Sequence, residues 1–271
     1  MDLHIPDKVP ERGALSRTTH LAIGAHADDL EVMAYHGIAA SYDSPENWFG
    51  GIVVTDGAGS SRSGAYAGLS NDQMIQMRLQ EQRNAANLGH YSFVAQLGFP
   101  SLSLDTQSSP ISHQIADIIQ QCHPSTIYLH NPADKHPTHI SVLKSSLEAL
   151  RLLPPASRPQ QLYGCEVWRD LDWLADNSKV ALDCSAYPEL ALSLIQVFDS
   201  QISGGKRYDL AALGRRHANA TFSNPRIGDT MDCVTWALDL MPLLENPSLT
   251  LEQFMAPHLE RFRLDVLKNL S

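Results

Sequence analysis

The stretch Leu21-Ala22-Ile23-Gly24-Ala25-His26-Ala27-Asp28-Asp29-Leu30 decides how this chain is read. Residues 21–25 are a continuous small and branched apolar run, the pattern of a strand buried on both faces. The run ends at a histidine and two adjacent aspartates, and a helical pattern over residues 30–40 takes over. The same unit recurs downstream. Residues 52–55, 93–97 and 127–129 read as further strands, and the second of these histidine-bearing ends comes at His130. Helical patterns follow over 111–121 and 137–152, and another runs to Leu88, capped at Asn71 or Asp72 and stopped by Gly89. Residues 57–68 are rich in Gly and Ser and read as a loop. Beyond the prolines at 154, 155 and 159, residues 162–168 and 180–182 suggest two strands, and 188–200 and 208–222 two helices. The tail from Trp236 reads as an amphipathic helix without chemistry. Strand–helix alternation predicts an α/β fold with a mainly parallel sheet and helices on both faces, as one domain over residues 1–271. Such sheets bind ligands beyond the carboxyl ends of their strands, which is where both histidine clusters fall.

Composition narrows the function. The 271 residues are 43% hydrophobic and 18% charged, enough for a sizeable core. No apolar run approaches the ~18 residues of a membrane span. The first twenty residues carry charges and two prolines, so a signal-peptide core is absent there and a cytoplasmic location is expected. A net charge of -10, without a basic stripe, argues against nucleic acid as a partner. Cys122, Cys165, Cys184 and Cys233 are far apart and form no C-x-x-C pair. No G-x-G-x-x-G follows the first strand and no P-loop is present, which ranks nucleotide chemistry last.

The first cluster, His26-Ala27-Asp28-Asp29, has two readings. As a helix cap, either aspartate satisfies free amides and the helix dipole. As a metal site, a histidine and a carboxylate three residues apart converge on one ion, and the second carboxylate is left as a general base. The second cluster runs from His130 to His139 and contains Asp134 and His136. His136 and His139 lie three apart at a helix start that Pro137 marks, so both rings can share one side of the first turn. One can ligate a metal while the other contacts substrate.

Ala25-His26-Ala27-Asp28-Asp29-Leu30-Glu31 resembles the A-H-P-D-D-x-E signature of the PIG-L/LmbE deacetylase family, and His136-Pro137-Thr138-His139 resembles its H-P-D-H. Arg78-Leu79-Gln80-Glu81 with Ala85, Leu88 and Gly89 is similar to the family's R-x-x-E…A…L-G helix. Thr55-Asp56-Gly57, Asp183-Cys184-Ser185 and Ser200-Gln201 match further family segments, so the resemblance spans roughly residues 20–225. It implies a Rossmann-like, LmbE-like α/β fold and zinc-dependent removal of an N-acetyl group from an N-acetylglucosamine-type sugar, phosphorylated and chitin-derived sugars among them. It also implies Zn²⁺ ligands at His26, Asp29 and His139, a general base at Asp28, a protonated His136 at the oxyanion or leaving amine, and substrate contacts from Arg78. The family includes oligomers, which leaves a homo-oligomer open.

The chain departs from the pattern in places. Ala27 stands where the family has proline. Thr138 stands where it has the H-P-D-H aspartate, and Asp134 is a candidate to replace that carboxylate or to contact substrate. His36 lies ten residues past His26 and reads as structural. Ser60-Ser61-Arg62-Ser63-Gly64 and Gly204-Gly205-Lys206-Arg207-Tyr208 read either as surface loops or as binding segments for phosphate or sugar hydroxyls, with Arg62 a candidate substrate contact. Two further functions fit the same residues: an amidase on a larger N-acyl or thiol-sugar conjugate, and a non-catalytic sugar-binding protein. A His-His-Asp set suits zinc and also accepts iron, cobalt or nickel.

Overall fold

The computed structural model describes residues 1–270. Eight strands, β1 (Asp2–His4), β2 (His20–Gly24), β3 (Phe49–Thr55), β4 (Phe93–Phe99), β5 (Thr126–His130), β6 (Gln161–Cys165), β7 (Val180–Asp183) and β8 (Val234–Asp239), form one sheet. Their order is β1-β4-β3-β2-β5-β6-β8-β7. The five strands β4, β3, β2, β5 and β6 are parallel neighbours. β1 joins one edge antiparallel, and β8 runs antiparallel between β6 and β7.

Helices cover both faces, and the strands show it in their side chains. Leu21, Ile23 and Ala25 pack with Ile52, Val54, Phe93 and Ala95 in one core. The alternate residues Ala22, Val53 and Val94 pack with Leu30, Ile38, Tyr128 and Phe198 in the other. A period of two that is apolar in both phases is why β2 and β3 read as unbroken hydrophobic runs. Sequence order reverses direction across β2 and β5, with β3 and β4 on one side and β6 on the other. The crevice past the carboxyl ends of those two strands is the topological switch point where such sheets bind ligands. Among the described residues no helix is long and apolar enough to cross a membrane.

Three expectations from the sequence are corrected. The tail from Trp236 is not simply helical, because Trp236 lies within β8, inside the sheet, before the helices Met241–Glu245 and Leu251–Leu270. The single helix expected over 30–40 is two, Asp29–Met33 and Tyr35–Ser41, broken at Ala34. The buried Arg216 guanidinium donates to the carbonyls of Glu31 (2.6 Å) and Val32 (3.1 Å), which the break would otherwise leave unsatisfied. The helix Asn71–Leu88 is capped by Ser70 rather than Asn71 or Asp72. Ser70 Oγ accepts from Gln73 N, and Gln73 Oε1 accepts from Ser70 N, a reciprocal capping box.

Candidate active site

The turn after β2 separates two adjacent carboxylates. Gly24 lets the chain fold back on itself: a Cβ there would stand 2.9 Å from Asp29 Cβ. Asp28 takes φ 90°, a backbone region that side chains with a Cβ seldom occupy, and such outliers gather at functional sites. Asp29 then opens its helix and turns back, accepting from the His26 amide at 2.7 Å. Asp28 faces away, towards Arg78.

Three side chains converge on one point. His26 Nδ1 lies 3.3 Å from Asp29 Oδ2, His139 Nε2 lies 3.5 Å from Asp29 Oδ1, and the two ring nitrogens are 3.2 Å apart. Donors held ~2.1 Å from a tetrahedral metal are separated by about 3.4 Å, so the spacing and the donor types fit one divalent ion. His130 and His136 stand close by: donor atoms of His26, His136 and His139, and of Asp29, His130 and His139, each fall within 4.8 Å of one another. Asp134 Oδ2 contacts His139 Nδ1 at 3.2 Å. In the neutral ring that contact favours the proton on Nδ1 and leaves Nε2 free to face the cluster, the arrangement that orients metal-binding histidines. Burial opposes a charge on His139, but the carboxylates of Asp29 and Asp134 outweigh it and raise its pKa. Burial also works to raise Asp29, yet His139, His130 and hydrogen bonds hold its carboxyl well below the usual range. A site that favours positive charge this strongly suits a cation.

Asp28 belongs to a second network. Arg78, Glu81 and Gln82 share one buried face of the helix Asn71–Leu88, at the i, i+3, i+4 spacing. Arg78 Nη2 donates to Asp28 Oδ2 at 2.8 Å and also to the Ala27 carbonyl, while Nη1 donates to Glu81 Oε2 at 3.0 Å. Gln82 Oε1 accepts from the Asp28 amide at 3.3 Å. Glu81 in turn accepts from the amide (2.7 Å) and hydroxyl (2.8 Å) of Ser200. Burial pushes the Asp28 carboxyl up to about 6 in spite of the Arg78 guanidinium, a value from which it can both take and return a proton near neutrality.

The cluster opens into a cleft of about 620 Å³. His26, Asp28, Asp29, Arg78, His136 and Thr138 line it together with Gly57, Gly59, Ser60 and Ser61 of the loop after β3, and with Trp168, Gln201, Lys206, Tyr208 and Arg215 from later in the chain. His136 caps its helix, Nδ1 accepting from Thr138 N at 3.3 Å. Burial, with His139 and His26 nearby, pushes its pKa down to about 4. That shift favours the neutral ring, and with Nδ1 accepting from the backbone it is Nε2 that would carry the proton.

The paired strand-end signatures and the Arg78 helix between them lie in one segment of the chain that a family model matches. The PIG-L family model matches residues 21–150. That family is described as GlcNAc-PI de-N-acetylase. The uncharacterized deacetylase YaiS of Escherichia coli (strain K12) is 29% identical over 157 residues, 55% of this chain and 78% of that protein. The N,N'-diacetylchitobiose deacetylase of Pyrococcus horikoshii shares the fold with TM-score 0.64 and 16% identity, over 89% of this chain and 90% of that one. GalB, the 4-carboxy-2-hydroxymuconate hydratase of Pseudomonas putida KT2440, does so with TM-score 0.64 and 16% identity, over 82% and 96%. One fold thus serves a deacetylase and a hydratase, so chemistry must be argued from side chains.

The matched segment brings His26, Asp28, Asp29, Arg78, Asp134, His136 and His139 into one neighbourhood. Arg78 reaches the cleft with its guanidinium already engaged by Asp28, Glu81 and Ala27. Asp134 does not line the cleft: its oxygens take His139 Nδ1, the His136 amide (2.9 Å) and the Trp168 amide (3.1 Å). Of His136 it meets only the backbone amide, whereas its other oxygen meets the His139 ring. Arg62 also lies outside the lining, donating to the Ala58 carbonyl (2.7 Å) and Asn71 Oδ1 (2.8 Å). The residues that sequence reasoning left without a role are Glu81, Gln82, Trp168 and Arg215. For the first two a signal existed, their spacing from Arg78 on one helix face. For the others only the fold supplies it.

Proposed function

We infer that this chain is a metal-dependent hydrolase that removes the N-acetyl group from an N-acetylglucosamine-type sugar. What carries the reading is a single juxtaposition: a convergent His26–Asp29–His139 donor set beside a separate carboxylate, Asp28, with a raised pKa and a place on the cleft surface. The PIG-L match and the deacetylase relatives support it. Sugar binding alone needs no second carboxylate set beside a metal donor set and facing the cleft, which argues against a non-catalytic role.

Zinc held by His26, Asp29 and His139 supplies Lewis acidity when bound. The protein's own groups do the rest. Asp28, held by Arg78, takes a proton from the water that adds to the acetamide carbonyl. His136 donates from Nε2 to the oxygen that becomes negative, as a neutral donor and not as an imidazolium. When the C–N bond breaks, Asp28 returns its proton to the departing nitrogen, leaving acetate and a free amine. Asp134 keeps the His139 ring in its orientation.

The test pairs composition with product. Protein purified without added metal is assayed for bound metal and for acetate released from N-acetylglucosamine, its phosphates and diacetylchitobiose. The expected result is about one zinc per chain and stoichiometric acetate. Chelation should abolish release and zinc restore it, and His139→Ala should lose the metal. No acetate from any of these amides in the zinc-loaded protein would reject the assignment.

A further inference from the structure

The cleft has a charge pattern that amide hydrolysis does not explain. Among the described residues its only acidic lining residues are Asp28 and Asp29, whereas Lys135, Lys206 and Arg215 all line it. This occurs in a chain with 30 acidic and only 20 basic side chains. Among the described residues neither Lys135 nor Lys206 has a salt-bridge partner, although the adjacent Arg207 is fully engaged by Asp209 at 2.9 and 2.7 Å. Lys206 Nζ instead lies 5.2 Å from the centre of the Trp168 ring. Arg215 donates to the Val167 carbonyl, and its charge also reaches the buried Glu166 carboxyl.

This group is held in fixed relation to the reacting centre. The Trp168 amide donates to Asp134 Oδ2, the oxygen that also contacts His139. The Trp168 ring stands 5.9 Å from His136 and 6.3 Å from Tyr208. An amino sugar with its acetamide at Asp28 and His136 would therefore present its other substituents to an aromatic face with cations beside it. Trp168, Lys206 and Arg215 also lie past residue 150, outside the segment that the PIG-L model matches.

We propose that Trp168, Lys206, Arg215 and Lys135 form a selectivity face for amino sugars bearing an anionic substituent, a phosphate or a carboxylate. The proposal rests on the deacetylase reading and adds the substrate class. With a neutral sugar these lining cations gain only ordinary hydrogen bonds to hydroxyls. With an anion they form charge-assisted hydrogen bonds and raise its local concentration.

The experiment compares kcat/KM for N-acetylglucosamine, its 1- and 6-phosphates, and N-acetylmuramic acid as the carboxylate arm. At least one anionic sugar should exceed the neutral one by about tenfold, the worth of one charge-assisted hydrogen bond, with the gain in KM. That advantage should shrink between about 0.05 and 0.5 M salt. K206Q should cut the anionic-to-neutral ratio by about fivefold or more, and K206R should restore it. The arm that wins separates phosphate from carboxylate. A neutral sugar that equals every anionic one, or an unchanged ratio in the K135Q/K206Q double variant, would overturn the proposal. Calorimetric binding of glucosamine and glucosamine 6-phosphate separates the two readings. If no amide is cleaved, the deacetylase reading fails while tighter binding of the phosphate, lost in K206Q, still supports the face. Equal binding of both removes it.

Discussion

The cleft is made from two regions built on opposite principles. The strand-end region, His26 to Asp29 with Asp134 to His139, is densely cross-bonded. Asp29 alone accepts from the His26 amide and stands within 3.5 Å of the rings of His26, His130 and His139. The later region, Trp168 with residues 206–215, is sparsely partnered and partly exposed, and its lysine is left to an aromatic face. Metal ligation and proton transfer, the roles proposed for the first region, tolerate little displacement, and its groups are held at strand ends by several partners each. Recognition of a substituent tolerates more, and it is placed on a turn and an exposed helix face. The fold therefore separates what must be fixed from what can vary.

The largest effect expected tests the strand-end region. Asp28→Asn keeps the shape and the Arg78 contact but removes the base. Turnover should fall by about 10²–10⁴-fold while bound metal stays at the wild-type level. Turnover within about tenfold of wild type, in protein with full metal content, would remove Asp28 from the chemistry and end the division between ligand and base.

A smaller effect sharpens the boundary between the regions, because Asp134 touches both. Asp134→Asn replaces an acceptor for the His139 proton with an amide that can present a donor instead. Metal affinity should drop by about 10–100-fold, read by competition with a chelator, since the ring would lose the partner that fixes its tautomer. An unchanged affinity would mean that Asp134 serves the Trp168 and His136 amides and not the His139 ring.

How much of this could be read from the chain follows the same division. The strand-end region was legible because its signals are local: an apolar run, then His26 and two aspartates, and a second run ending at His130. The parallel sheet was legible for the same reason. What escaped depends on partners far away in sequence. The break at Ala34 exists because Arg216 caps carbonyls 184 and 185 residues earlier. Glu81 finds its role through Ser200, 119 residues on. β8 was lost because its six residues are followed by helical patterns, and only pairing with β6 and β7 distinguishes them. Asp134 was visible as a carboxylate in the right loop, but spacing could not say that its side chain meets the ring of His139 and only the backbone of His136.

The amino ends of the same strands offer the control with the smallest effect. His20 opens β2 at the end away from the cleft, stacked on Tyr128 and bonded to Thr19 Oγ1 at 3.0 Å. Burial, with His36 nearby, pushes its pKa down to about 4 from an unfolded value of 6.5. The folded chain thus keeps His20 neutral where the unfolded chain binds a proton. Its contribution to stability is intact above about pH 6.5 and is lost as pH falls towards 4, by at most ~1.4 kcal/mol per unit. His130 and His136, also pushed down to about 4, act in the same direction. His20→Asn should therefore lessen the fall in melting temperature between pH 6.5 and 4.5 relative to wild type, and leave metal content at pH 7.5 unchanged. If it altered metal content too, the two ends of β2 would be coupled through the strand, and the rigidity assigned to the strand ends would belong to the whole sheet.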